Sequence, residues 1–380
     1  GHAADANAER ERFELQRDLA HALERTGRPR EAIDLYRQLM RSPLATAAEQ
    51  YQLAKRLAFA LAAVGADRQA AVEFEALLAS PAMQTSTALR AEDERQLRTA
   101  LAHSLHQSGQ HRRAAWQWQR VLDLLPDGDP EIPRIQLRLA DLFEKLDQET
   151  AAAAIYTNLL NSPVDGEHLR YRFAWLHNRY QRHSEAWALI ENWPRPHPEP
   201  DHRHLQAQTA FWAGIDAVAL ALYPDLLEQR PDDGALRYQY AQLLRRNDRM
   251  TAAADELARL VSQSPANSTY RLLLVETLLD SGDSAAAIPH GERLLTTHGD
   301  LAQVQLLAAR AYADQGRPGK AIAHLDRLHQ LTPLTADQQL WRGDLLRLTG
   351  QDAAARDAYS AAIRQAPREM PARAWIARAD

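Results

Sequence analysis

The sequence predicts an all-α protein, an α-solenoid of about ten helix–turn–helix repeats. Two observations lead to this prediction: a spacing of 34 residues recurs along the chain, and the chain is 380 residues long. Chains beyond about 250–300 residues tend to divide rather than build one core. The composition, 45% hydrophobic and 25% charged, is typical of folded protein. A linear array of small repeats accounts for both observations.

Three positions recur at fixed offsets and define the repeat. In the C-terminal half the first position recurs every 34 residues, at Asp248, Gly282, Gly316 and Gly350. Alanine follows five residues later and proline or glycine seventeen residues later, as in Ala253 and Pro265. The same frame recurs upstream, starting at Gly27, Gly65, Gly109 and Gly214. This regularity indicates short units stacked in series.

A 34-residue period with a central glycine, small residues on both helices and a closing proline resembles the tetratricopeptide repeat family. Within single repeats, Leu57, Ala58 and Phe74, or Gly343 and Tyr359, match the pattern of that family. The resemblance covers nearly the whole chain and implies a right-handed superhelix of antiparallel helix pairs. Ten repeats are expected to begin near Phe13, Tyr51, Arg95, Pro133, Glu167, Pro200, Gly234, Ser268, Ala302 and Ala336.

Spacing and proline content divide the predicted array. Residues 1–12 are expected to be a lead-in, and the opening Gly1-His2 resembles the remnant of a cleaved tag. Repeats 1–5 occupy 13–193, repeats 6–10 occupy 201–369, and 370–380 begin an eleventh. Alternating prolines make 194–200 a non-helical break. The first three steps of the frame, 38, 44 and 38 residues, predict longer helices or loops there.

The frame has a physical basis in each repeat. Glycine accepts the left-handed backbone that ends the first helix. Alanine lets helices approach closely, large apolar residues fill the groove, and proline ends the second helix. Each helix alone is marginal in water, so stacking supplies the missing contacts. Gly291 stands where other repeats have an aromatic residue or leucine, which predicts a packing gap.

Composition and motifs argue against several kinds of chemistry. The chain has no cysteine, which excludes disulfides, thiolate catalysis and cysteine-bound zinc. A net charge of −5 argues against general nucleic-acid binding. The sequence has no apolar run long enough for a transmembrane helix. It also has no glycine-rich phosphate loop, HExxH motif or nucleophile elbow. We therefore predict a non-enzymatic protein without cofactor or metal.

Three groups of residues could be chemical sites. Asp201, His202 and His204, with His197 nearby, form a conceivable surface metal site, but a solvated linker end explains them more simply. His103 and His106 share a helix face and are expected to line the inner surface without a third ligand. Asp141 and Glu144 are the carboxylates that an α/α-barrel glycoside hydrolase would need. Such a barrel would not require the 34-residue frame.

The resemblance implies that the second, fifth, ninth, twelfth and thirteenth residues of each repeat face inward. Repeats 5–7 concentrate aromatic residues and arginines there, which are the types that dominate binding hot spots. We predict that a partner binds the concave face at Tyr171, Trp175, Asn178, Arg179, His204, Gln208, Phe211, Trp212, Tyr238, Gln242, Arg245 and Arg246. In the alternative interpretation Trp175, Phe211 and Trp212 pack between helices. No ninth position carries asparagine, which argues against a carboxylate clamp for chaperone tails.

The predicted function is a scaffold for protein–protein interaction. Long, cysteine-free repeats rich in Ala, Leu, Arg and Gln resemble the periplasmic domains of Gram-negative exopolysaccharide export porins of the Pel type. That resemblance implies docking of a polysaccharide-modifying enzyme in the periplasm, beside the outer membrane and in biofilm formation. A cytoplasmic adaptor and direct polysaccharide binding by the inner aromatic residues remain alternatives.

Overall fold

The computed structural model describes residues 2–81, 88–161, 166–367, 371 and 374–376. These ranges form helices joined by turns and contain no β-strand, which confirms the all-α prediction. Within these ranges, twenty helices of eight or more residues pair in sequence into ten repeats. Their bounds are α1 His2–Arg25, α2 Pro29–Met40, α3 Ala47–Ala63, α4 Asp67–Ala79, α5 Ala88–Gln107, α6 His111–Asp123, α7 Ile132–Lys145, α8 Glu149–Leu160, α9 Gly166–Arg179, α10 His183–Ile190, α11 Pro200–Trp212, α12 Asp216–Gln229, α13 Gly234–Arg246, α14 Met250–Gln263, α15 Ser268–Asp280, α16 Ser284–His298, α17 Ala302–Asp314, α18 Pro318–Leu331, α19 Ala336–Leu348 and α20 Asp352–Gln365.

One residue with left-handed backbone ends the first helix of every repeat. These turn residues are Gly27, Gly65, Gly109, Asp147, Gln181, Gly214, Asp248, Gly282, Gly316 and Gly350. The amide after each donates to the carbonyl five residues earlier, as Ala66 does to Leu61 at 2.9 Å. The predicted role of the central glycine is confirmed. Asp147 and Gln181 occupy this turn position in repeats 4 and 5, which lack the glycine at the turn.

The contact between the two helices of a repeat follows the same frame. Nine residues after the turn, nine repeats bury a large side chain: Tyr36, Phe74, Trp118, Tyr156, Ile190, Tyr223, Leu257, Leu325 and Tyr359. Each such side chain contributes about 1.5–3 kcal/mol when fully buried. The exception is the buried Gly291, where an added Cβ would meet no atom within 4 Å. The predicted packing gap is therefore confirmed.

Part of the extra length of the early repeats lies in their first helices. Helices α1, α3 and α5 contain 24, 17 and 20 residues, whereas α11 and α13 contain 13 each. Residues 2–12, predicted to be a lead-in, are part of α1. Arg10 holds this part of the helix because it pairs with Glu49 of α3 and donates to the Leu44 carbonyl at 2.9 Å.

A recurring hydrogen bond closes the loops between repeats in the C-terminal half. The fourth residue of a first helix reaches back to a carbonyl six residues earlier. Arg203, Arg237, Arg271 and Gln305 do so, at distances of 2.9, 2.7, 2.6 and 2.6 Å. Each bond satisfies a backbone acceptor at the end of the preceding loop. The interval between these four residues is again 34, so the repeat extends to side-chain bonds.

The chain forms two compact units, Gly1–Leu189 and Ile190–Asp380. In the N-terminal unit consecutive helices pack against each other from α1 through α9. In the C-terminal unit they do so from α11 through α20. This serial packing is that of an α-solenoid. Pro194, Pro196 and Pro198 lie outside helices, while Pro200 begins α11. The division of the array by a break at 194–200 stays a prediction, and the eleventh repeat at 370–380 lies largely outside the described residues.

None of the helices in the described part of the chain combines the length and apolarity needed to cross a bilayer.

Candidate functional site

The predicted partner-binding residues of repeat 5 lie on α9 in the N-terminal unit: Tyr171, Trp175, Asn178 and Arg179. Trp175 is 44% exposed, whereas Tyr171 and Asn178 are half-buried. Arg179 donates to the Glu144 carbonyl at 3.1 Å and pairs with Asp147. Arg179 therefore links α9 to the C-terminal end of α7. Trp175 is the exposed aromatic side chain of this group.

The residues of repeat 6 lie on α11 in the C-terminal unit: His204, Gln208, Phe211 and Trp212. Phe211 is buried and meets the edge of Trp212 at 4.7 Å between ring centroids. Trp212 itself is 52% exposed. The alternative interpretation, packing between helices, thus describes Phe211. Trp212 keeps half of its surface available to a partner.

The residues of repeat 7 lie on α13: Tyr238, Gln242, Arg245 and Arg246. Arg246 lies over the Phe211 ring, 5.0 Å from its centroid, and also pairs with Asp216. Arg245 is 3.2 Å from the carboxylate of Asp280. Both arginines form ion pairs between neighbouring repeats. The structure thus brings Phe211, Trp212 and Arg246 together in the C-terminal unit, while the α9 residues belong to the other unit.

The histidines around the proline-rich segment form a packed group. His197 is buried, its ring stacks on His202 at 4.8 Å, and Trp193 lies 4.9 Å from His197. Among the described residues no group of three or more His, Cys, Asp or Glu side chains is placed to hold a metal ion. The ring packing supports a structural role for this segment.

The N-terminal unit contains an open pocket of about 380 Å³ on its first helices. Successive first helices α5, α7 and α9 line it, with one residue from the second helix α6. The lining residues are His103, His106, Gln107, Trp118, Arg134, Leu137, Arg138, Asp141, Leu142 and Arg172. A recess that spans three successive helices is suited to an extended ligand, because its contacts run along the array.

The wall of the pocket is built around Trp118, which is buried. His103 meets this ring edge-on at 4.9 Å, and the Arg138 guanidinium lies over it at 5.3 Å. Arg138 donates to His103 Nδ1 at 3.4 Å, so that nitrogen is the acceptor. Burial, and secondarily Arg138, lower the pKa of His103. The imidazole is therefore neutral at pH 7 and holds the guanidinium in place.

The carboxylates near the pocket are engaged with other cations. Asp141 lies 3.2 Å from both Lys145 and Arg172. Glu144 accepts from Arg172 at 3.1 Å and from the hydroxyl of Tyr156. These are the two carboxylates that the hydrolase alternative would require. Their shared ion pair with Arg172 favours a structural role for both.

Comparison with known families decides the classification. The tetratricopeptide repeat model matches residues 99–163, 217–268, 272–333 and 306–369, together more than half of the chain. The chain belongs to the tetratricopeptide repeat family. No curated protein sequence matches it. Proteins of this family are generally non-catalytic scaffolds that bind other proteins along extended surfaces.

Three solved structures are similar to parts of this chain. The C-terminal part of a repeat protein from Cytophaga hutchinsonii has 14% identity and a TM-score of 0.50, covering 63% of this chain and 98% of that one. The structure of Naa15/Naa10 bound to HypK-THB has 14% identity and a TM-score of 0.45, and the match covers 94% of this chain and 59% of that one. YrrB, described as a tetratricopeptide protein with an unusual peptide-binding site, has 17% identity and a TM-score of 0.42. The match covers 52% of this chain and 98% of that one. At these identities the likeness concerns the fold alone.

The sequence placed two of the pocket residues on the inner surface, but it did not predict the pocket itself. His103 and His106 are the ninth and twelfth residues of repeat 3, and both line the pocket. Arg134 and Asp141 are the second and ninth residues of repeat 4. The choice of repeats 5–7 rested on their aromatic content. A better signal was the pair of arginines four residues apart on one helix, Arg134 and Arg138.

Acidification should destabilise this tetratricopeptide array below neutral pH. Burial lowers the pKa of eight histidines: His21, His103, His106, His177, His183, His204, His290 and His324. In the unfolded chain a histidine binds its proton near pH 6.5. The folded protein binds these protons only at lower pH, so stability is full above about 6.5 and is lost below it.

Thermal unfolding between pH 7.5 and 5.5 at constant ionic strength measures this effect. The midpoint should fall as the pH falls. His177→Gln removes one buried titrating ring and should flatten part of the dependence. A midpoint that is constant or rises on acidification would contradict the prediction.

Proposed function

We propose that the protein is a non-catalytic docking scaffold that binds a protein partner along the inner positions of its first helices. Two observations carry this proposal: the pocket shared by α5, α7 and α9, and the exposed Trp175, which follows the pocket residue Arg172 by three positions on α9. A half-exposed tryptophan is costly in water and is a common anchor at protein interfaces. Trp212 offers a second anchor of the same kind in the C-terminal unit.

The narrower form of the proposal concerns the partner and the compartment. The partner would be a polysaccharide-modifying enzyme, and the compartment the periplasm of a bacterium that exports exopolysaccharide. The lack of cysteine and the repeat composition support this form. A cytoplasmic protein partner, or a polysaccharide bound directly, would retain the scaffold role and replace only the narrower form.

Affinity capture from source-cell extracts, separated into envelope and cytoplasm, tests the proposal. We expect one envelope protein to be retained by the wild-type chain and lost with the triple variant Tyr171→Ala, Trp175→Ala and Trp212→Ala. Identification of that protein by mass spectrometry then tests the narrower form. A cytoplasmic partner would select the adaptor alternative.

Trp116 provides a matched control, because it is 56% exposed but lies on the second helix α6. Trp116→Ala should retain the partner, and its thermal unfolding should match that of the wild type. If the triple variant keeps the partner, these aromatic residues are not the docking site. If it loses its unfolding transition, they belong to the core.

A further inference from the structure

Two arginines of the pocket have no carboxylate partner within the described residues. Arg134 is exposed and forms no hydrogen bond or ion pair there. Arg138 is half-buried, and its contacts are the His103 nitrogen and the face of Trp118. Arginine guanidinium groups bind carboxylates through paired hydrogen bonds. Two such groups thus face an open recess with their charge uncompensated.

The other charges around the pocket balance one another. Arg172 and Lys145 are matched by Asp141 and Glu144. Glu131, three residues before Arg134, pairs instead with Arg95 at 2.7 Å. The site therefore has a net positive charge, which comes from Arg134 and Arg138. Both residues lie on one face of α7.

The placement of these charges is unfavourable unless an anion joins them. Arginines four residues apart on a helix are neighbours, and like charges in that arrangement destabilise a helix by about 0.2–0.5 kcal/mol. The whole chain carries a formal net charge of −5, so general electrostatics would repel an acidic ligand. Attraction of such a ligand must come from this local arrangement.

We propose that the pocket binds side-chain carboxylates of an acidic segment in the partner protein. This assignment rests on the proposed docking function and names the chemistry of its ligand. The recess runs across three first helices, which suits an extended peptide with several carboxylates. Arg138 is already positioned by Trp118 and His103, so little side-chain freedom is lost on binding. Gln107 adds an amide donor at the edge.

Titration with defined peptides tests the assignment in the whole 380-residue chain. The probe is a fluorescein-labelled peptide of alternating glutamate and serine, with its C-terminus amidated so that every carboxylate is a side chain. Fluorescence anisotropy at low salt should show binding by the wild type. Arg134→Glu and Arg138→Gln should each weaken it by about tenfold or more, the cost of one charge-assisted contact. Binding should also weaken as salt is raised.

Arg112→Glu is the matched control, because Arg112 is an exposed residue of α6 outside the pocket and the change in charge equals that of Arg134→Glu. The affinity of the Arg112→Glu variant for the peptide should match that of the wild type. All three variants should show the circular dichroism spectrum and the unfolding transition of the wild type. Equal losses in the control and pocket variants, or no binding by the wild type, would overturn the assignment.

Two further outcomes separate this assignment from other proposals. Tighter binding of an oligogalacturonate, lost in the same two variants, would assign the pocket to an acidic polysaccharide and overturn the peptide assignment. If the captured protein partner is retained by Arg134→Glu and Arg138→Gln but lost by the tryptophan variants, docking stands and the acidic-segment assignment fails. Loss of the captured partner in both sets supports both proposals.

Discussion

Replacing Arg237 with alanine should lower the free energy of unfolding by about 3 kcal/mol, within the range for removing one partner of a buried ion pair. The Arg237 side chain is 8% exposed and pairs with Glu256 of α14, which is 14% exposed. It also donates to the Pro231 carbonyl at 2.7 Å. The change leaves a largely buried carboxylate less well paired and a loop acceptor without its donor. Because Arg259 also reaches Glu256, at 3.0 Å, we expect the lower end of the range.

Arg259→Ala is the matched control for this prediction. It removes a second arginine from the same carboxylate, but the Arg259 side chain is 64% exposed. Exposed ion pairs contribute about 0–1 kcal/mol. Urea unfolding followed by helical circular dichroism should show a large shift of the midpoint for Arg237→Ala and a small shift for Arg259→Ala. Similar shifts for the two variants would show that burial does not set the strength of this contact.

Adding one methyl group at Gly343 should destabilise the protein by about 2 kcal/mol, the middle of the range for overpacking. A Cβ at this position would lie 2.6 Å from Cε1 and 2.8 Å from Cδ1 of Tyr359. The Tyr359 ring is buried, and its hydroxyl donates to Asp344 at 2.9 Å. The ring therefore cannot retreat without loss of packing or of that hydrogen bond.

The same substitution at Gly291 should have the opposite sign. Gly291 lies in the middle of α16, and its Cβ would enter open space. Alanine is favoured over glycine inside a helix by about 0.8–1 kcal/mol. Gly291→Ala should therefore raise the unfolding midpoint while Gly343→Ala lowers it. Two shifts of the same sign would mean that the space around these glycines does not decide the effect.

The repeat architecture was predictable because its determinants are local. A left-handed residue ends each first helix, and glycine marks it in seven of the ten repeats. Asp147 and Gln181 occupy the same backbone conformation, and their repeats gave the weakest frame. Residues 2–12, expected to be a lead-in, carry no frame residue before Phe13, and the structure places them in α1. Their helix is stabilised by Arg10 through contacts near Leu44 and Glu49, far along the chain.

The candidate site was only partly predictable, because its ion pairs join residues about 30 positions apart. The family resemblance placed Arg179 and Arg246 on the inner surface, yet both pair with the preceding repeat, through Asp147 and Asp216. Phe211 likewise lies in the core, beneath Arg246. Conversely, Arg134 and Arg138 drew no notice in the sequence. Among the described residues neither arginine has a carboxylate partner, and this is visible only once Asp141 is seen to pair with Arg172.

The sequence by itself determined the helix pairs, their turns and the serial order of packing, because each depends on residues within one 34-residue period. Only the tertiary structure decided which inward side chains pack, which pair and which are left to meet a ligand. The physical reason is that burial and charge compensation depend on neighbours in adjacent repeats. Residues with the same position in the frame can have different partners there.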